Sequence, residues 1–145
     1  MKIQVINGPN INMLGVREPA IYGKETFADL IALLEQTASS LHVEVLHYQS
    51  NHEGDIIDKI QDCYQKIDGI VINPAAYTHT SIGILDALKS VGIPAIEVHI
   101  SDVNNRESFR KLSYAGLACE KTICGQGING YKIAIEYLVD KYAKK

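Results

Sequence analysis

The chain has 145 residues, of which 46% are hydrophobic and 21% are charged, a composition typical of one globular domain whose core needs neither metals nor disulfides. This composition excludes a wholly disordered chain, and no apolar run approaches the ~18 residues that a membrane span requires. The net charge of −3 excludes a strongly basic surface for nucleic acid, and the N-terminus has no secretory-signal pattern.

Short β-branched segments alternate along the chain with helical patterns. The predicted strands are residues 2–6, 43–48, 69–73, 95–100 and 121–124. Helices are predicted to begin near Thr26, near Gly54 and near Gly127, with a further helix running from Thr80 to Val91. This order predicts an α/β fold of the flavodoxin type: a five-stranded, doubly wound parallel sheet with helices on both faces. Residues 1–145 are expected to form it as one domain.

Local signals refine the helices. Thr26 and Asp29 have the spacing of a capping box, and Thr78 or Thr80 is expected to cap the helix that follows the third strand. That helix is expected to stop at Gly92. In the preceding helix, Tyr64 is expected to face the core.

The spacing of the strands indicates an unusually long first connection. Predicted strand starts at 2, 43, 69, 95 and 121 are 26 residues apart, except for the first interval of 41. The 15 extra residues lie within 7–25, whereas connections in α/β units usually take ~2–6 residues. A long loop at the carboxyl edge of such a sheet is the usual place for an active-site lid.

The lid candidate carries Arg17 and Tyr22. A free tyrosine has a pKa of ~10 and is a poor base at neutral pH, but a nearby guanidinium favours the phenolate. The pair is therefore either catalytic or simply solvated. Asn7, Asn10 and Asn12 are either site residues or asparagines that satisfy their own turns.

Polar residues also follow the third and fourth strands. Asn73 and His79 flank the carboxyl end of the third strand. On the fourth, alternation places Glu97, His99 and Ser101 on one face. His99 is either a core histidine bonded to a backbone carbonyl or a general acid–base.

Two other patterns favour structural roles. Residues 125–130, GQGING, match a dinucleotide-binding motif, but no strand follows them, so a tight turn with close helix–sheet packing is expected. Cys63, Cys119 and Cys124 form no CxxC pair, which favours reduced thiols in a cytoplasmic protein and disfavours a zinc site.

Four segments together are more specific than any single motif. They are GPNINMLGVREPAIYG at 8–23, NPAAYTHTS at 73–81, IEVHIS at 96–101 and RESFR at 106–110. With them the chain resembles the type II 3-dehydroquinate dehydratases over essentially its whole length. The resemblance implies reversible loss of water from 3-dehydroquinate to give 3-dehydroshikimate, in the shikimate pathway or in quinate breakdown.

The resemblance also implies roles for individual residues. Tyr22 matches the base that removes a proton beside the ketone, and Arg17 matches the residue that lowers the pKa of that tyrosine. His99 matches the acid that protonates the leaving hydroxyl, and Asn10 matches an active-site amide. The matches to substrate-binding positions are Asn73, His79, Asp86, Ile100, Ser101 and Arg110.

The family's use of other molecules carries over in the same way. The resemblance implies no metal, no nucleotide and no Schiff-base lysine, and a homododecamer built from trimers in which Asp86 reaches a neighbouring site. Several positions depart from the usual family residues, but none of them is a catalytic position: Ile11, Met13, Leu85, Asp102, Asn104, Asn105 and Gln126. The competing interpretation is a non-enzymatic flavin or nucleotide binder, although the first loop lacks a Ser/Thr-rich phosphate cradle.

Overall fold

A computed structural model describes residues 1–16 and 18–143, without the side chains of Pro19 and Tyr22. Five strands form one sheet in the order β2-β1-β3-β4-β5, and every neighbouring pair is parallel. The strands are β1 (Lys2–Asn7), β2 (Glu44–Gln49), β3 (Gly69–Asn73), β4 (Ala95–His99) and β5 (Lys121–Cys124). The predicted flavodoxin-like sheet is confirmed, with strand ends within one residue of the sequence-based bounds.

Helices cover both faces of this sheet. They are α1 (Pro19–Tyr22), α2 (Phe27–Leu41), α3 (Glu53–Asp62), α4 (Ile82–Val91) and α5 (Asn129–Tyr142). Short 3-10 turns follow the strands at Ile11–Met13, Ala75–His79, Val103–Asn105, Ser108–Arg110 and Ala115–Ala118. Among the described helices, none is long and apolar enough to cross a membrane.

Alternation along the strands divides the core between the two faces. On one face, Val71 and Val98 pack with α2 and α5. On the other, Ile70 and Ile72 pack with α3 and α4. Successive residues of a strand point to opposite sides of the sheet. The same alternation therefore determines on which face each polar residue at a strand end lies.

The capping predictions are partly confirmed. Thr26 and Asp29 form the predicted capping box, and Gly92 ends α4 in the left-handed conformation with φ 65°. The prediction of Thr78 or Thr80 as the α4 cap is wrong. A 3-10 turn occupies Ala75–His79, and the Ser81 hydroxyl instead accepts the Ile84 N–H at 2.9 Å.

Tyr64 is also placed differently from the prediction. Helix α3 ends at Asp62, and Tyr64 lies in the turn beyond it with 55% of its surface exposed. The helical period therefore stops before it reaches this ring, and extrapolating the apolar stripe past the helix end caused the error.

The GQGING segment is a turn with close packing, as predicted. Gly125 and Gly127 have positive φ values of 76° and 58°, a conformation that side chains disfavour. A Cβ at Gly130 would lie 3.2 Å from a Val98 methyl group, so the glycine lets α5 approach β4 closely.

The turn after β1 depends on the absence of a side chain at Gly8. Its N–H donates to the Asn73 carbonyl at 2.8 Å, and a Cβ there would lie 2.4 Å from the Pro74 carbonyl oxygen. We therefore expect Gly8→Ala to lower the free energy of unfolding by about 1–3 kcal/mol through overpacking, measured by urea denaturation.

The matched control is Gly54→Ala in α3, where a Cβ would meet nothing within 4 Å. This variant should be as stable as the parent protein or up to about 1 kcal/mol more stable, since alanine favours helix over glycine. Equal stability of the two variants would contradict the importance of the Gly8 contact.

Candidate active site

A cavity lies at the carboxyl edge of the sheet, between the segments that follow β1, β3 and β4. The structure brings most of the predicted site residues to its walls: Asn10, Asn73, His79, His99, Ile100, Ser101 and Arg110. These residues come from separate parts of the chain. The parallel sheet places them together because its strands all end at this edge.

His99 is held by a carboxylate rather than by the backbone carbonyl considered from sequence. Its Nε2 donates to Glu97 Oε2 at 2.9 Å, and only 6% of the His99 surface is exposed. Because a carboxylate only accepts, the bond keeps a proton on Nε2 and leaves Nδ1 as the ring nitrogen for a ligand. An oriented imidazole beside a cavity is suited to proton transfer.

Glu97 is fully buried and bonded on both oxygens. Besides His99, the Ser113 hydroxyl donates to Oε2 at 2.5 Å and the Thr122 hydroxyl donates to Oε1 at 2.7 Å. Burial acts to raise the pKa of Glu97, but these hydrogen bonds and the nearby His99 outweigh it and hold that pKa below its usual value of 4.5. Glu97 is therefore a buried anion that orients His99.

The first turn of the site depends on Asn10. Its backbone lies in the left-handed region with φ 71°, which asparagine tolerates better than most residues. Its N–H donates to Asn51 Oδ1 at 3.0 Å, which ties the turn to the end of β2. Asn10 therefore lines the cavity, and its side chain makes no capping hydrogen bond to the turn that follows it.

His79 lines the cavity at the end of the turn that follows β3. Its Nδ1 donates to the Leu112 carbonyl at 2.7 Å, which leaves Nε2 as the nitrogen available to a ligand. The same bond fastens the turn after β3 to the segment that carries the two arginines.

Two arginines line the cavity near His79. The Arg110 Nε bonds Glu107 Oε2 at 2.5 Å, and its guanidinium retains further donors for a carboxylate or hydroxyl. Arg106 also lines the cavity, although it was not among the predicted site residues. Arg106 lies in the RESFR segment, but its spacing of four residues from Arg110 did not indicate that both arginines line the same cavity.

Three predicted residues are not placed in this cavity by the described part of the structure. Asp86 is exposed on α4 and does not line the cavity of its own chain. The predictions for Arg17 and for the side chain of Tyr22 lie outside the described residues.

The cysteines lack the features of reactive thiols. Burial raises the pKa of Cys63 to about 11 and that of Cys119 to about 12, so both stay protonated at neutral pH. All three cysteines are free. Within residues 1–16 and 18–143, no cluster of three or more His, Cys, Asp or Glu residues is arranged to hold a metal ion.

The lowered pKa of Glu97 predicts how stability depends on pH. An acid whose pKa is lower in the folded state stabilises the fold above its unfolded pKa, and this contribution is lost as pH falls through the folded pKa. We expect the stability difference between the parent protein and Glu97→Gln to be larger at pH 5.5 than at pH 3.5, measured by urea denaturation. A difference that stays constant or grows towards pH 3.5 would contradict a buried Glu97 anion.

Comparisons with known proteins identify the family of this chain. The family model described as "Dehydroquinase class II" matches residues 1–139. A 3-dehydroquinate dehydratase of Endomicrobium trichonymphae is 56% identical over 138 residues, which cover 95% of this chain and 96% of that protein. A catabolic 3-dehydroquinase of Verticillium alfalfae is 51% identical, with 94% and 91% covered.

A solved structure shows the same likeness in three dimensions. The type II dehydroquinase of Butyrivibrio crossotus superposes with a TM-score of 0.93 at 56% identity, covering 95% of this chain and 97% of that one. Sequence and backbone therefore agree over nearly all of both molecules. The chain belongs to the class II dehydroquinase family.

Proposed function

We propose that this protein is a 3-dehydroquinate dehydratase, a hydro-lyase that reversibly removes water from 3-dehydroquinate to give 3-dehydroshikimate. The observation that carries the proposal is the Glu97–His99 pair beside a cavity lined by asparagine amides and two arginines. Such a cavity combines a proton donor with groups that bind a small polyhydroxy acid.

In the proposed reaction, Tyr22 removes the proton from the carbon beside the ketone, which forms an enolate. Arg17 lowers the pKa of Tyr22 and steadies the developing negative charge, and Asn10 contributes an amide near the enolate. The loop within 7–25 acts as a lid that excludes water while these charges develop.

The leaving group then departs with a proton from His99. Nδ1 donates to the hydroxyl as its bond to carbon breaks, the enolate electrons form the new double bond, and water leaves on the opposite face from the abstracted proton. Glu97 supports this step by keeping the second ring nitrogen protonated and the ring in place. Solvent carries a proton back from Tyr22 to His99 to complete the cycle.

The remaining cavity residues bind the substrate in this proposal. Arg110 and the backbone of Ile100 and Ser101 bind the carboxylate and ring hydroxyls, with Asn73 and His79 completing the polar wall. A guanidinium and several hydrogen-bonding groups in fixed positions are suited to binding an anionic substrate with several hydroxyls.

The central test is turnover of 3-dehydroquinate, followed as absorbance of the conjugated product, in the parent protein and in Tyr22→Phe. We expect this variant to lose at least ~1000-fold in kcat, since general base catalysis contributes up to ~10⁴-fold. The matched control is Tyr64→Phe, which changes an exposed ring away from the cavity and should leave kcat unaltered.

A Tyr22→Phe variant that kept more than about a tenth of the parent kcat would rule out Tyr22 as the base, because this corresponds to less than ~1.4 kcal/mol of barrier. His99→Ala should also abolish turnover, but at the second step. Proton exchange beside the ketone should therefore persist in His99→Ala and be lost in Tyr22→Phe, as measured by NMR in deuterated water.

We also propose that the protein is a cytoplasmic homododecamer built from trimers. Asp86 is exposed on α4 beside Ile82, an apolar side chain that is 53% exposed, and a subunit contact there would let Asp86 reach a neighbouring cavity. The three free cysteines fit a reducing compartment.

Sedimentation velocity tests the assembly. The parent protein should sediment as one large homo-oligomer of about twelve subunits, and Ile82→Asp should shift it to smaller species by burying a charge in the subunit contact. A fully active monomer at micromolar concentration would contradict the proposed assembly.

A further inference from the structure

A buried tyrosine outside the cavity bonds to one of the asparagines that line it. Tyr131 lies in the first turn of α5, is fully buried, and does not line the cavity. Its hydroxyl donates to Asn7 Oδ1 at 2.6 Å and accepts from Asn73 Nδ2 at 2.9 Å. Asn7 and Asn73 are register partners at the ends of β1 and β3, so the tyrosine bridges the two strand ends.

One backbone N–H sets the donor and acceptor of each hydrogen bond that links Asn73, Tyr131 and Asn7. The Ala75 N–H, which only donates, bonds Asn73 Oδ1 at 3.1 Å. The oxygen of the Asn73 amide therefore faces Ala75, and its nitrogen faces Tyr131. The tyrosine oxygen accepts from that nitrogen, so its single proton goes to the oxygen of Asn7.

Backbone conformation gives this arrangement little freedom. Ala75 has a φ of 54°, a strained region for a residue with a Cβ, and the bond to the Asn73 side chain helps to hold it there. Burial raises the pKa of Tyr131, so the ring stays a neutral phenol that donates and accepts as described. Tyr131 is thus excluded as a base and is suited to a fixed hydrogen bond.

The consequence for the cavity concerns the second N–H of Asn73. Its amide oxygen is used by Ala75 and one N–H is used by Tyr131, which leaves the other N–H without a partner among the described residues. Asn73 is 3% exposed and lines the cavity, so the group it can offer there is a donor.

We propose that Tyr131 is a positioning residue, which holds the Asn73 amide so that an N–H faces the cavity and binds an acceptor oxygen of the substrate. The inference rests on the proposed function and extends it to a residue that touches no substrate. Asn73 and the Tyr131 ring lie on the α5 side of the sheet, whereas His99 points to the opposite side. Asn73 takes part in neither proton transfer of the proposed reaction, so we expect its contact to stabilise the ground state and the transition state alike.

Removing only the hydroxyl tests this role. Tyr131→Phe removes the partner of one Asn73 N–H, so that the bond to the Ala75 N–H is the one described contact left to orient the amide. We expect KM for 3-dehydroquinate to rise about 5- to 20-fold while kcat changes by less than about 3-fold, as for loss of uniform binding. The matched control is Tyr137→Phe on the same helix, whose hydroxyl bonds the surface residue Glu120 and which should leave KM unchanged.

A double-mutant cycle separates positioning from simple stabilisation. If Tyr131 acts through Asn73, then Asn73→Ala should raise KM, and adding Tyr131→Phe to it should cause no further rise. An additional rise of the same factor in the Asn73→Ala background would overturn the inference. So would a lowered melting temperature of Tyr131→Phe with KM unchanged, because this is the result of a purely structural role.

A second variant, Asn7→Ala, tests the same role if Tyr131→Phe does not fold. Asn7→Ala removes the acceptor of the tyrosine proton but keeps the ring, and it should raise KM in the same direction. An unchanged KM in folded Asn7→Ala would overturn the inference as well. Absence of turnover in the parent protein would overturn both this inference and the proposed function. Turnover in the parent protein together with an unchanged KM in Tyr131→Phe would overturn the inference alone.

Discussion

Parallel hydrogen bonding between β1, β3 and β4 brings the last residues of the three strands to the same edge of the sheet. Everything in the site depends on this pairing. Asn73 and His99 are the final residues of β3 and β4, and the turn containing Asn10 follows β1 directly. The close approach of Gly8 to Pro74 joins the ends of β1 and β3. The contacts that pack this edge of the sheet therefore also form part of the cavity wall.

The two faces of the sheet support the site in different ways. On the α3 and α4 side, the buried Glu97 anion orients His99 and is itself satisfied by Ser113 and Thr122. On the α5 side, a neutral chain of hydrogen bonds runs from Ala75 through Asn73 and Tyr131. A charged group thus orients His99, and neutral hydrogen-bonding groups hold the Asn73 amide. A buried charge is costly unless fully paired, and here every carboxylate oxygen has a donor.

Much of the fold was predictable from local pattern. Apolar strands at a regular spacing indicated a parallel sheet, and the capping box at Thr26 and the glycine stop at Gly92 were readable because their signals lie within a few residues. The error in the α4 cap came from a local signal that competed with a neighbouring one. Thr78 and Thr80 are good caps, but Pro74 begins a 3-10 turn that uses these positions, so α4 starts later and Ser81 caps it.

The sequence by itself determined the fold class, the family resemblance and most of the residues that line the cavity, because strand period and short motifs are properties of neighbouring residues. Only the tertiary structure decided which groups act on one another. The bond between Glu97 and His99 joins residues that sequence already placed on one face, but Thr122 and Ser113 come from elements 16 or more residues away. The contact of Tyr131 with Asn7 spans 124 residues. A local sequence pattern cannot predict contacts between residues so far apart in the chain, because these contacts form only when distant elements such as α5 and β5 pack together.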